Sequence, residues 1–362
     1  MAEPGLAGPA DAPPLRVLFW ESTARCNLTC AHCRRDKADT GDELPGDDVR
    51  RLLEEAARLG PPLVVFSGGE PLLRDDWQPL AAHARSLGLN IALATNGTLI
   101  DDAAAGRIRE AGFRRVAVSL DGADAATHDA VRGPGAFEAA TAGIAALRRA
   151  GQPVQINATL SRANAGQLDA LVDLSRSVEA EALHLFVLVP VGCGVDLAKT
   201  QQLPPRQYVE VLGRVLDLRQ SGRAGLELRP TCAPQYHRLA GERGAALPGR
   251  GCLCGVSVLF VGHDGTVRPC GYLPVDCGTI RRQRLDDIWR GSTVLRSLRD
   301  ADALGGACGQ CDWRFRCGGC RARAYAATGD YLAAEPGCPF APAQRPAAKG
   351  VACRPPDGYS PG

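Results

Sequence analysis

Val17-Leu-Phe-Trp20 is a short apolar run, and the segment that follows it, Asp47 to Leu59, has the spacing of an amphipathic helix. The same succession then recurs: Leu63-Val-Val-Phe66 before Trp77 to Leu87, Ile91-Ala-Leu-Ala-Thr95 before Asp101 to Ala111, and Val116-Ala-Val-Ser-Leu120 before Ala136 to Ala150. Val154-Gln-Ile-Asn-Ala-Thr-Leu160 before Gln167 to Val178, and finally Leu183-His-Leu-Phe-Val-Leu-Val189, complete the set. Strand alternating with helix predicts an α/β fold with a parallel sheet, whose strands read as continuous apolar runs because both faces are covered. Right-handed crossovers curl six such units into a partial, open (β/α)6 TIM-like barrel. Chemistry in such a barrel sits on the loops after each strand: Cys26 to Cys33, Ser67 to Glu70, Thr95 to Gly97, Ser119 to Gly122, Asn157 to Thr159, and Pro190 to Cys193.

Around this core the chain divides into four parts. Residues 1–14, rich in Pro, Ala and Gly, read as a disordered lead-in, 15–225 as the barrel core, 226–345 as a second, cysteine-rich domain, and 346–362 as a tail. The length of 362 residues suits one large domain and a smaller one. Lys and Arg number 42 against 40 Asp and Glu, a net charge of +2, which excludes bulk electrostatic capture of nucleic acid. The longest apolar stretch, Ala182 to Val195, is interrupted by His184, Pro190 and two glycines, and the N-terminus lacks a signal-like apolar region. A cytoplasmic protein, without membrane or nucleic-acid partners, is expected.

Fifteen cysteines, an odd count, favour metal or redox chemistry over a disulfide framework in a reducing compartment. Cys26-x3-Cys30-x2-Cys33 directly follows the first strand, and three thiolates in one loop suit three corners of an iron–sulfur cube. Structural zinc is the alternative, but it takes four closed ligands, and no well-spaced fourth follows before His83.

That loop, with His32 before its last cysteine, resembles the radical S-adenosylmethionine (AdoMet) superfamily, and Ser67-Gly68-Gly69-Glu70-Pro71 is similar to the family's GGE motif. The resemblance implies a [4Fe–4S] cluster on Cys26, Cys30 and Cys33 that leaves one iron open to AdoMet. It implies that Ser67, Gly68, Gly69 and Glu70 meet the methionine moiety, the glycines allowing close approach and Glu70 accepting from the ammonium group. Thr95, Asn96, Ser119, Asp121 and Asn157 would face the ribose, carboxylate or substrate, although such residues at strand ends also cap helices and shape turns.

Cys252-x12-Gly265-x4-Cys270, then Cys308-x2-Cys311-x5-Cys317-x2-Cys320, then Cys338, resembles the SPASM extension, with a final gap one residue shorter than usual. The resemblance implies one or two auxiliary [4Fe–4S] clusters: an outer one on Cys308, Cys311, Cys317 and Cys338, and an inner one on Cys252, Cys270 and Cys320. The inner fourth ligand stays open between Cys232, Cys254, Cys277 and a free iron. A zinc ribbon on Cys308 to Cys320 is the alternative, and it leaves Cys252, Cys270 and Cys338 unused.

Arg229 to Tyr236, Cys270 to Pro274 and Cys317 to Asp330 look like radical enzymes that trim carboxylated side chains of tetrapyrroles. This resemblance implies hydrogen abstraction from a carboxylate-bearing small molecule followed by decarboxylation or side-chain loss, with a reductant such as flavodoxin or ferredoxin as partner. Candidate carboxylate clamps are Arg34, Arg35, Lys37, Arg229, Arg321 and Arg323, and candidate proton movers are Tyr236, His237, Asp264 and His263. Sugar-nucleoside acids and ribosomal peptides are the rival substrates, and a non-catalytic iron–sulfur scaffold is the rival class.

Overall fold

A computed structural model describes residues 12–35, 42–245 and 247–341. Lys37, residues 1–11 of the lead-in and the tail 346–362 lie outside the described residues. The six expected strands form as β1 (Val17–Glu21), β2 (Leu63–Ser67), β3 (Asn90–Thr95), β4 (Val116–Ser119), β5 (Val154–Leu160) and β6 (Ala182–Val187), each parallel to the next. The sheet extends beyond them. β7 (Glu227–Thr231) pairs parallel with β6, and β8 (Val258–Val261) pairs parallel with β1. β9 (Thr266–Arg268) and β10 (Gly278–Thr279) continue it antiparallel, giving the order β10-β9-β8-β1-β2-β3-β4-β5-β6-β7.

Between strands run α1 (Gly46–Arg58), α2 (Trp77–Ser86), α3 (Asp102–Ala111), α4 (Ala125–Arg132), α5 (Ala136–Arg149), α6 (Leu168–Ser177), α7 (Gly194–Gln201) and α8 (Pro205–Gln220). The second cysteine region carries α9 (Gln235–Glu242), α10 (Leu285–Gly291), α11 (Thr293–Arg299), α12 (Gly306–Gly309) and α13 (Arg321–Thr328). The expected boundary at 225/226 falls inside the one continuous sheet, because β7 and β8 come from the later segment and flank strands of the earlier one.

Side chains on the helix-facing side of the sheet are buried. Trp20, Phe66, Phe113 and Trp77 form a run of ring contacts at 5.0, 5.4 and 6.1 Å between centroids. The opposite face is less covered than the apolar runs suggested. β5 alternates buried with half-buried positions, and the half-buried ones are Gln155, Asn157 and Thr159, as expected where a barrel encloses a chamber. The lead-in is also shorter than read: the indole N–H of buried Trp289 donates to the carbonyl of Pro13 at 2.9 Å, which fixes the chain ahead of Leu15. Among the described residues no helix is long and apolar enough to cross a membrane.

Candidate active site

The cluster loop begins where β1 ends, and backbone pairing carries it across the end of β2. Ser22 N donates to Ser67 O at 2.7 Å, Gly69 N to Thr23 O at 2.8 Å and Glu70 N to Arg25 O at 2.8 Å. A Cβ on Gly69 would lie 2.1 Å from Arg25 O, and one on Gly68, whose φ is +150°, 2.7 Å from Thr23 O. The two glycines therefore let the cysteine loop lie against the strand end, a role distinct from the ligand approach expected of them. Gly69→Ala should push the loop off β2 and cost about 1–3 kcal/mol. A chemical denaturation midpoint unchanged from wild type would show that the loop adjusts without cost.

Glu70 has no exposed surface. Its Oε1 accepts from Thr95 Oγ1 at 2.8 Å and from Leu72 N at 3.3 Å, and its Oε2 accepts from Asn96 N at 2.9 Å. It is thus a strut between the ends of β2 and β3. Burial outweighs these bonds and pushes the carboxyl up to about 7. Because the folded protein holds this proton more tightly than the unfolded chain, Glu70 opposes folding increasingly as pH rises from 4.5 to about 7. Over that window the loss amounts to about 3 kcal/mol. Glu70→Gln should flatten this part of the stability–pH curve; an unaltered slope would place the titration elsewhere.

Asn96, at the end of β3, donates through Nδ2 to Asn27 Oδ1 at 2.8 Å and lies 3.9 Å from Cys26 Sγ. Asp121, after β4, is the centre of a buried charge cluster. Its Oδ2 meets Arg132 Nε at 2.6 Å and His32 Nε2 at 2.9 Å, and its Oδ1 accepts from Thr159 N at 2.6 Å. The Arg132 and His32 partners hold its carboxyl far below the ordinary range. Arg132 Nη1 donates to Cys30 Sγ at 3.7 Å. Asp121 is therefore committed to protein partners, whereas Ser119 and Asn157 stay half-buried on the chamber side, Asn157 accepting from Gln155. Burial pushes the Cys26 and Cys30 thiols up, so deprotonation awaits a metal.

A seam joins this loop to the second cysteine region. Glu21, at the end of β1, pairs with His263 Nδ1 at 2.9 Å and Arg34 Nη2 at 3.3 Å, and Arg34 lies over the Phe260 ring at 4.5 Å. Arg34 and His263 together hold Glu21 down at about 2. Beyond the seam the cysteines separate into two groups. Cys232, Cys252, Cys254, Cys270 and Cys320 share one buried apolar cluster with Tyr272. Cys308, Cys317 and Cys338 interact mutually, and Arg238 reaches Cys311 Sγ at 3.7 Å while also facing Cys338. Cys277 packs instead against the main core. Among the described residues no three His, Cys, Asp or Glu side chains converge as on a single ion. Each group offers thiols as its donors, a set that fits the corners of an iron–sulfur cube.

The expected proton movers are not brought together. Tyr236 is a core residue whose hydroxyl accepts from Arg219 at 3.4 Å, because α9 turns that face onto α8. Asp264 spends both oxygens on Thr266, shaping the β8–β9 turn. His237 is half-buried on α9, facing Arg316, Arg229 and Arg219. Three expected clamps are likewise committed: Arg34 pairs with Glu21, Arg321 donates to the carbonyls of Tyr331 and Ala333 and to Cys308 Sγ, and Arg323 pairs with Glu335. Arg35 keeps a buried Nε without a hydrogen bond, and Arg229 is exposed on β7. Sequence reading missed Glu21, whose partner His263 is 242 residues away, and Arg132 and Glu335, whose ion-pair partners lie 11 and 12 residues away but in no recognisable motif.

A parallel-stranded barrel with a three-cysteine loop tied to a GGE strand end, joined to a second cysteine region, defines the class: the chain belongs to the radical SAM superfamily, in the group that carries a SPASM domain. Residues 20–174 match the Radical SAM superfamily, and 252–312 match the SPASM iron–sulfur cluster-binding domain. Among individual proteins, the chain is 41% identical to the AdoMet-dependent heme synthase of Methanosarcina barkeri over 91% of this chain and 98% of that protein. It is 33% identical to the pre-heme d1 synthase of Dinoroseobacter shibae, covering 91% of this chain and 87% of that one. The fold is also that of anSMEcpe solved with bound AdoMet (TM-score 0.70, 19% identity, covering 90% and 94% of the two chains). Streptococcus suis SuiB bound to its precursor peptide SuiA shares it too (TM-score 0.74, 16% identity, covering 91% and 76%).

Proposed function

We propose that this enzyme trims a carboxylated side chain of a tetrapyrrole by radical chemistry, an oxidative decarboxylation or side-chain loss of lyase type. The observation that carries the reading is the 41% identity to an AdoMet-dependent heme synthase along nearly the whole of both chains. Cys26, Cys30 and Cys33 hold the first cluster, Cys308, Cys311, Cys317 and Cys338 the outer auxiliary cluster, and Cys252, Cys270 and Cys320 the inner one. Bound there, the first cluster would supply one electron to split the sulfonium C–S bond of AdoMet, and an auxiliary cluster would take one electron from the substrate after its hydrogen atom has left. Removal of a hydrogen atom, an electron and CO2 from a saturated carboxylate side chain leaves a carbon–carbon double bond.

The chain's own residues do the positioning. The Ser67–Glu70 strand end and the Thr95–Asn96 turn would hold the methionine moiety of AdoMet, and Ser119 and Asn157 face the chamber. Asp121 acts through Arg132 and His32 to fix the loop. Arg35, with its unpartnered Nε, suits a carboxylate. We place the enzyme in the cytoplasm, supplied with electrons by a flavodoxin or ferredoxin.

Anaerobically reconstituted protein, given AdoMet and dithionite, should form 5′-deoxyadenosine, and a propionate-bearing iron tetrapyrrole should lose CO2 by mass spectrometry. Formation of 5′-deoxyadenosine with conversion of a sugar-nucleoside acid or a peptide, and none of the tetrapyrrole, would overturn the substrate assignment.

A further inference from the structure

A buried ion pair fastens two cysteines from distant segments. The side chains of Arg323 and Glu335 are 4% and 3% exposed, with Nε 2.6 Å from Oε1. Arg323 donates through Nη2 to the carbonyl of Cys232 at 2.7 Å. Glu335 Oε2 accepts from the backbone N–H of Cys320 at 2.5 Å and from the amide of Gln235, whose Oε1 in turn accepts from the Tyr208 hydroxyl at 2.6 Å. The pair thus holds the turn after β7 against the start of α13. A buried ion pair is costly unless its remaining valences are filled, and here the Cys232 carbonyl, the Cys320 amide and Gln235 fill all but Arg323 Nη1.

Cys232 itself has a φ of +54°, and among the described residues only Glu179 shares a positive φ outside glycine. That conformation is unfavourable for a residue with a Cβ. Arg323, bonded to the Cys232 carbonyl, keeps it in place. Strain of this kind persists where surrounding structure over-determines it and where the side chain has a task. The turned side chain enters the apolar cluster that holds Cys252, Cys254, Cys270 and Cys320.

We propose that Cys232 is the fourth thiolate of the inner auxiliary cluster, beside Cys252, Cys270 and Cys320, and that the Arg323–Glu335 pair positions it. The proposal rests on the reading that this group of cysteines takes a [4Fe–4S] cube. Cys254 lies nearer in sequence and in the same cluster, but its backbone is taken up in an isolated β-bridge with Val258 and has neither the left-handed turn nor the tie to Arg323 that Cys232 has.

The test uses the anaerobically loaded full chain. Cys232→Ala should either lose about four irons per chain or keep a cube with one open iron, whose reduced EPR signal shifts on adding imidazole. AdoMet-induced shifts identify the first cluster's signal, which should be unchanged. Cys254→Ala should retain its iron and its imidazole-insensitive spectrum. Unchanged iron and spectrum in Cys232→Ala, with iron loss in Cys254→Ala, would overturn the proposal. If Cys232→Ala does not fold, iron-edge anomalous diffraction from loaded wild-type crystals decides. An iron bonded to Cys232 Sγ supports the assignment, and one bonded to Cys254 Sγ or to a non-protein ligand overturns it. A wild-type protein with only the AdoMet-responsive cluster overturns the auxiliary-cluster reading as well.

Discussion

Replacing Cys26, Cys30 and Cys33 together by Ala should reduce 5′-deoxyadenosine formation by roughly a thousandfold or more, the equivalent of about 4 kcal/mol of barrier. Iron should fall by about four atoms per chain, with the auxiliary signals intact. The loop itself should survive, because its anchors are backbone bonds to the end of β2 and the Ala31 N–Val131 O bond of 2.8 Å to α4, none of which involves a thiol. The selectivity of the loss is therefore informative. If AdoMet cleavage persists in the triple variant, the reducing centre lies among the later cysteines. If all iron disappears, the clusters are not assembled independently. Altering Cys311 or Cys317 should have the opposite profile, sparing AdoMet cleavage and impairing conversion of the substrate.

Much of this site was legible because its determinants are local. Cys26 to Cys33 and Ser67 to Glu70 lie within single loops after strands whose apolar runs are unmistakable, so motif and placement could be read together. The flanking strands were harder. Glu227-Leu-Arg-Pro-Thr231 contains a proline and two charged side chains and does not look like a strand; it is tolerated at the edge of the sheet, where Pro230 owes no ladder bond on its outer side. Val258-Leu-Phe-Val261 is apolar, but its partner is β1, more than two hundred residues earlier, and only the tertiary structure joins them. The same distance hides Glu21 from His263, and a separation of 91 residues hides Cys232 from Arg323. Asp121 was expected to face the ribose, carboxylate or substrate; in the structure its partners, Arg132 and His32, decide what it does, and neither carries a sequence signal for that role.

Removing that carboxylate should be among the most damaging single changes. Asp121→Ala leaves Arg132, inside the protein and already bonded to Cys30 Sγ and facing His32, with its principal counter-charge gone. An uncompensated buried charge costs about 3–5 kcal/mol, and denaturation of the cluster-free protein should show a loss of that order. The Thr159 amide and the His32 ring also lose their acceptor, which adds to the penalty. A double variant, Asp121→Ala with Arg132→Met, should recover a large part of the loss, because no buried charge then remains, and the recovery measures the coupling of the pair. Catalysis should not recover with it. The double variant still lacks the guanidinium beside Cys30, so a potential shifted to more negative values should remain in the first cluster even where stability has returned. A single variant that unfolds at the wild-type midpoint would mean that solvent reaches Arg132, and that the cluster of charges under the cysteine loop is not the closed unit its distances describe.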